Sequence, residues 1–257
     1  MSGVDGLPLL IPDIVSAVAI LMFFSLIFGV FALAAILEGR RVIAVERSEE
    51  YHRVALERCR AAAEGLIAGG VVITGIAGGE YGTRGFIDGW DPATGKHLWK
   101  FYTTAAPDQK GGNTWPGDTH AKGGAPTWIT GSYDPDLDLV YWGTGNGGPW
   151  NANARGLGKD NLYSCSVLAI RPKTGELVWY YQFTPNDAYD YDGVNELVQS
   201  ELKIDGQMRK VIMQANRNGY FYVIDRTNGQ LLRANQFAKK LKFSFEQTPS
   251  RKVWPNT

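Results

Sequence analysis

Apolar and polar positions follow three different patterns along the 257-residue chain. From Ile14 to Leu37 the sequence IVSAVAILMFFSLIFGVFALAAIL carries no charge and has no polar face. A run of that kind reads as a transmembrane helix, which needs about 20 apolar residues. The residues before it carry Asp5 and Asp13 without Lys or Arg, and its apolar core is too long for a cleaved leader. Arg40, Arg41 and Arg47 follow it and predict that the chain beyond stays on the cytoplasmic side. From Glu38 to Glu64 charged residues alternate with Val, Ala and Leu at helical spacing, which predicts one juxtamembrane helix.

At Gly65 helix formers give way to Gly, Trp, Thr and β-branched residues, which marks a domain boundary. Leu66–Gly75 reads as a buried strand with its turn, and strands and turns continue to about residue 237 with no helix among them. Repeats then organise the strands. Trp90-Asp-Pro-Ala-Thr-Gly-Lys-His-Leu-Trp99 recurs as Ile170-Arg-Pro-Lys-Thr-Gly-Glu-Leu-Val-Trp179 and, more weakly, as Ile224-Asp-Arg-Thr-Asn-Gly-Gln-Leu-Leu-Arg233. Each is strand, glycine turn, strand. The segment from Gly131 to Gly143 is a further hairpin of this kind. Repeated four-stranded units, each with an aromatic residue, are the signature of a β-propeller, and the hairpins predict about four blades. The tryptophan is expected to dock between neighbouring blades. The expected organisation is therefore 1–37 with a membrane helix at 14–37, a juxtamembrane helix at 38–64, an all-β partial propeller at 65–238, and an irregular tail at 239–257.

Composition narrows the function. Basic and acidic side chains number 26 each, which argues against a nucleic-acid partner. The 31 glycines, 8 tryptophans and 12 tyrosines suit a turn-rich β body. Cys59 and Cys165 lie far apart and read as ordinary thiols rather than a disulfide framework or metal site.

Thr184–Glu196 (TPNDAYDYDGVNE) is the stretch with chemistry in it, because Asp187, Asp190 and Asp192 crowd together. Such a cluster serves a cation, a proton transfer or plain solvent. A helix–loop–helix calcium loop is excluded, since its first and last ligand positions would fall on Ala188 and Gln199. Three other segments could converge on it. Gly75–Gly85 (GIAGGEYGTRG) offers the carboxylate of Glu80 among glycines that allow close backbone approach, or is simply a glycine-rich hairpin. Gly123–Trp128 offers an indole for stacking on a flat ligand, or a packing tryptophan. Gly143–Asn151 offers Asn146 as an oxygen donor, or as a turn residue.

These segments resemble the pyrroloquinoline-quinone (PQQ) dependent alcohol dehydrogenases, the eight-bladed quinoproteins that include methanol dehydrogenase. The matching runs are GGEYGTRG, GGAPTWITGSYDP, WGTGNGGPWN, TPNDAYDYDGVNE and NRNGYFYVIDRTNG, in family order across roughly 65–237. The resemblance implies oxidation of a primary alcohol to its aldehyde, with a cytochrome c as electron acceptor. It implies Glu80, Asn146 and Asp190 as metal ligands and Asp190 as the catalytic base. Gly78, Gly79 and Trp128 would lie against the quinone, and Arg217 would hydrogen-bond its oxygen. Asp192 matches the additional aspartate of the lanthanide-using branch. All these donors are oxygens, which suits a hard cation, and the three negative charges of Glu80, Asp190 and Asp192 favour a lanthanide ion over Ca²⁺.

The family's adjacent cysteine pair and its remaining blades have no counterpart here, so the resemblance implies a partial propeller. Residues 1–64 and the tail are expected to be foreign to it. Family members are periplasmic, whereas the arginine flank predicts the opposite side. A membrane-tethered propeller that only binds proteins is the alternative; it has no reason to carry Glu80, Asn146, Asp190 and Arg217 together.

Overall fold

In a computed structural model of the chain, residues 67–240 are described. The transmembrane and juxtamembrane helices expected at 14–37 and 38–64 lie outside that range, as does the tail beyond residue 240. Among the described residues, no helix is long and apolar enough to cross a membrane. The strands all belong to one compact unit.

The described chain is all-β, with only short 3₁₀ turns beside its strands. It forms three four-stranded antiparallel meanders. The first is β1 (Ile67–Ala68), β2 (Val71–Gly75), β3 (Phe86–Trp90) and β4 (His97–Tyr102). The second is β5 (Ser132–Asp134), β6 (Leu139–Gly143), β7 (Ser166–Ile170) and β8 (Leu177–Gln182). The third is β9 (Val198–Ile204), β10 (Gln207–Ala215), β11 (Tyr220–Asp225) and β12 (Leu231–Gln236).

Two expectations are corrected. The described residues form three blades rather than about four, because the Gly131–Gly143 hairpin shares its sheet with the 170–179 repeat. In place of the one strand with its turn expected over 66–75, the described residues 67–75 form a hairpin. Gly69 and Gly70 both take positive φ, 56° and 82°, and turn the chain so that Ala68 faces Val71.

The middle blade shows why its strands read as continuous apolar runs. Every residue of β6 and β7 is buried. The period of two sends Val140, Trp142, Leu168 and Ile170 into a core shared with the first blade. It sends Leu139, Tyr141, Val167 and Ala169 into a second core shared with the third blade. The tryptophans dock between blades as the repeats predict. Trp99 donates its indole N–H to the carbonyl of Pro172 at 2.8 Å, and Trp179 donates to that of Arg226 at 3.2 Å. Gly175 lies under the first ring and Gly229 under the second; a Cβ there would come within 2.5 Å and 2.7 Å of the indole carbons.

Antiparallel order fixes where the loops emerge. Connections between second and third strands, and from one blade to the next, leave from one end of the sheets. The docking turns between third and fourth strands leave from the other. Every candidate site residue falls on the first set: Glu80 on β2–β3, Trp128 on β4–β5, Asn146 on β6–β7, Asp190 and Asp192 on β8–β9, Arg217 on β10–β11.

Candidate functional site

Backbone bonds knit these loops together. Gly124 bridges to Arg84 on one side and Gly147 on the other. Ala125 N–H donates to the Asn146 carbonyl at 2.8 Å, and Thr127 N–H to that of Ile76 at 2.7 Å. Gly193 N–H donates to the Thr144 carbonyl at 2.8 Å, which draws the aspartate loop onto the asparagine loop.

The three aspartates separate into different roles. Asp187 is buried and works inward. Its carboxylate accepts the backbone N–H groups of Tyr189 at 2.9 Å and Tyr191 at 2.7 Å, and contacts the Cys165 thiol at 3.4 Å. Asp190 sits in that turn with φ of 59°, in the left-handed region, and faces a cavity. Asp192, also at φ 59°, is buried. Its Oδ1 accepts Asn146 N–H at 2.9 Å and its Oδ2 accepts Nη1 of Arg217 at 3.0 Å. Burial pushes the Asp192 carboxyl up to about 6; the Asn146 amide opposes this and the neighbouring Asp190 charge adds to it.

Two cavities meet at Asn146 and Trp150. One, of about 230 Å³, is lined by these two with Asp187, Ala188, Tyr189 and Asp190. The other, of about 490 Å³, is lined by them with Gly79, Glu80, Gly82, Lys122, Gly148 and Pro149. Glu80 is exposed in the 3₁₀ turn Gly79–Tyr81, which Gly78 opens at φ 82°. Gly79 lies flat on Pro126, where a Cβ would come within 2.6 Å of the proline ring. Trp128 is 42% exposed, with its ring over Gly145, next to Asn146. The half-exposed Arg217 spends one of its donors on Asp192. The fold thus gathers Asn146, Asp192 and Arg217 in direct contact and sets Glu80 and Asp190 on cavities either side of Asn146. No group of three His, Cys, Asp or Glu side chains arranged for a metal ion occurs among the described residues.

Two residues of this region carry no signal in the sequence. Asn161 is buried and accepts from both Arg155 Nη1 at 3.0 Å and Asn186 Nδ2 at 2.7 Å. Arg155 is fully buried, although an arginine in a polar loop reads as exposed.

A family description places the chain among known proteins: the PQQ-type glucose/ethanol/alcohol dehydrogenase β-propeller domain matches residues 43–234. The chain belongs to this family. It is 50% identical to quinohemoprotein alcohol dehydrogenase ADH IIB of Pseudomonas putida, over 66% of this chain and 26% of that protein. It is 41% identical to the lanthanide-dependent methanol dehydrogenase of Methylacidiphilum fumariolicum, over 67% of this chain and 31% of that one. A europium-containing methanol dehydrogenase structure superposes with a TM-score of 0.64 at 40% identity, covering 66% of this chain and 33% of that one. The chain therefore spans about a quarter to a third of the length of these relatives.

Proposed function

We propose that this PQQ-family chain carries one wall of a quinone–cation site that oxidises a primary alcohol to its aldehyde, with Asp190 as the base. The observation that carries the reading is Asn146. It lines both the cavity beside Glu80 and the cavity beside Asp190, and its backbone N–H holds Asp192.

The donor set fits a hard cation. Glu80, Asn146, Asp190 and Asp192 offer oxygens alone. Burial pushes Asp192 up to about 6 and the neighbouring Asp190 charge adds to it, a cost that a cation relieves. The relatives named above as lanthanide-dependent and europium-containing support a lanthanide ion, with Ca²⁺ as the other candidate. A cavity of about 490 Å³ is within the usual size for a small-molecule cofactor. Held by these residues, the quinone would supply a two-electron acceptor and the cation a Lewis acid.

This chain's own residues do the rest. Asp190, its backbone fixed by the Asp187 turn, takes the alcohol's hydroxyl proton on its carboxylate. Arg217 keeps the buried Asp192 charge paired and presents its exposed edge to oxygen on which charge develops. Trp128 offers its half-exposed ring for stacking, and Trp150 and Tyr189 line the Asp190 cavity. A cytochrome c acceptor fits a family with quinohemoprotein members. The apolar run 14–37 supports a membrane tether, and protease protection in spheroplasts tells on which side the propeller lies.

Reconstitution of the chain with PQQ and La³⁺ or Ca²⁺, followed by dye reduction with methanol and ethanol, tests the reading. Cation-dependent turnover that Asp190→Asn abolishes is expected. Cofactor binding that ignores Glu80→Gln and Asp190→Asn counts against it.

A further inference from the structure

Arg155 is the largest fully buried side chain in the described structure, and it lies behind the site rather than in it. It belongs to the 3₁₀ turn Ala152–Arg155, further along the same β6–β7 connection that carries Asn146. Its Nε donates to the Pro149 carbonyl at 2.7 Å and its Nη2 reaches that of Trp150 at 3.4 Å. The same Nη2 donates to the Asp187 carbonyl, in the loop that carries Asp190. Nη1 donates to Asn161 Oδ1 at 3.0 Å. Asn161 in turn holds Asn186 and the Arg155 carbonyl, closing the network.

Burying a guanidinium is costly, and desolvation works against its charge. That cost is met by carbonyls from two different loops, which a planar fork can span and a point charge cannot. Gly147 makes room for it; a Cβ there would come within 2.5 Å of Nη1. The carbonyls it joins lie on Pro149 and Trp150 beyond Asn146, and on Asp187 before Asp190. Asp187 then passes the constraint on, because its carboxylate fixes the N–H groups of Tyr189 and Tyr191 on either side of Asp190.

We propose that Arg155 is a positioning residue that sets the separation of the Asn146 and Asp190 loops, and with it that of the cation donors these two loops carry. The inference rests on the proposed assignment of Asn146 and Asp190 to a cation site. Outer groups that orient ligands are typically worth about 10–100-fold in metal affinity.

The test uses the full chain with PQQ, Tb³⁺ as a luminescent probe sensitised by nearby Trp and Tyr, and amide hydrogen exchange on the metal-free chain. Arg155→Lys keeps the charge and loses the fork. It is expected to weaken Tb³⁺ binding by about tenfold or more. It is also expected to speed exchange at the Tyr189 and Tyr191 amides while Leu168, in the core of β7, keeps its protection. Gly147→Ala displaces the guanidinium without removing it, and is expected to speed exchange at the same two amides. It carries the exchange measurement if Arg155→Lys does not fold. Unchanged exchange at Tyr189 and Tyr191, or a loss shared equally by Leu168, overturns the proposal. So does Tb³⁺ binding that is tight in the wild type and unaltered in Arg155→Lys. If the wild type binds no Tb³⁺ while both amides respond, the cation assignment fails and the loop-setting role of Arg155 stands.

Discussion

Asp192 and Arg217 meet at 3.0 Å, and the pair joins the aspartate loop of one blade connection to the β10–β11 loop of the third blade. Because Asn146 N–H holds the other oxygen of Asp192, this one carboxylate ties together three of the loops that carry site residues. Arg217→Met leaves a buried carboxylate beside Asp190 with only the amide to balance it. The expected outcome is a loss of about 1–3 kcal/mol in the cation-free chain, read from urea unfolding. A smaller loss once La³⁺ is added would show the cation taking over the guanidinium's charge.

Asp192 also bears on which cation binds. Asp192→Asn removes one negative charge from a set of three carboxylates, which costs a trivalent ion more than a divalent one. The ratio of La³⁺ to Ca²⁺ affinity is expected to fall by about tenfold or more, measured by calorimetric titration of both ions with PQQ present. An unchanged ratio would remove Asp192 from the ligand set.

At the opposite end of the sheets the tryptophans hold the blades together. Trp179→Ala opens a cavity in the second core and is expected to destabilise by about 3–5 kcal/mol. Gly175→Ala forces a Cβ within 2.5 Å of the Trp99 ring at a residue with φ of 71°. A loss of at least about 1–2 kcal/mol is expected from the backbone conformation alone. Denaturant midpoints check both.

Acid sensitivity follows from Asp134, which is paired with Arg226 at 2.6 Å in a buried ion pair. Burial alone would raise its pKa, but the Arg226 hydrogen bond and the amides of Leu137 and Asp136 hold it below the ordinary carboxylate value. The folded value is the lower one. Its contribution to stability is therefore full above the unfolded value of about 4, and is lost as pH falls through the folded value. Asp134→Asn should flatten that acid limb and cost about 3–5 kcal/mol at neutral pH, since Arg226 stays buried without its partner. Thermal melts from pH 3 to 7 measure both effects.

The sequence carried the blade architecture because Trp99, Trp179 and their glycine turns recur at fixed spacing, and docking needs both partners. It did not carry the blade count, since a hairpin such as Gly131–Gly143 has the same local pattern whether it begins a blade or completes one. Glu80, Asn146 and Asp190 were legible as oxygen donors in glycine-rich loops. The inward role of Asp187 was not, because three neighbouring aspartates look alike until one turns into the protein to hold Tyr189 and Tyr191. Arg155 left no trace for the same reason. Its burial depends on carbonyls that are distant in the chain and meet only in the fold.

The most direct test of the whole account is PQQ binding by the full chain, followed by calorimetric titration with and without La³⁺. Binding that tightens by about tenfold or more with La³⁺ is predicted, with the gain lost in both Glu80→Gln and Asp190→Asn. Equal binding with and without the cation, or a gain untouched by either substitution, would contradict a shared quinone–cation site at Glu80, Asn146 and Asp190.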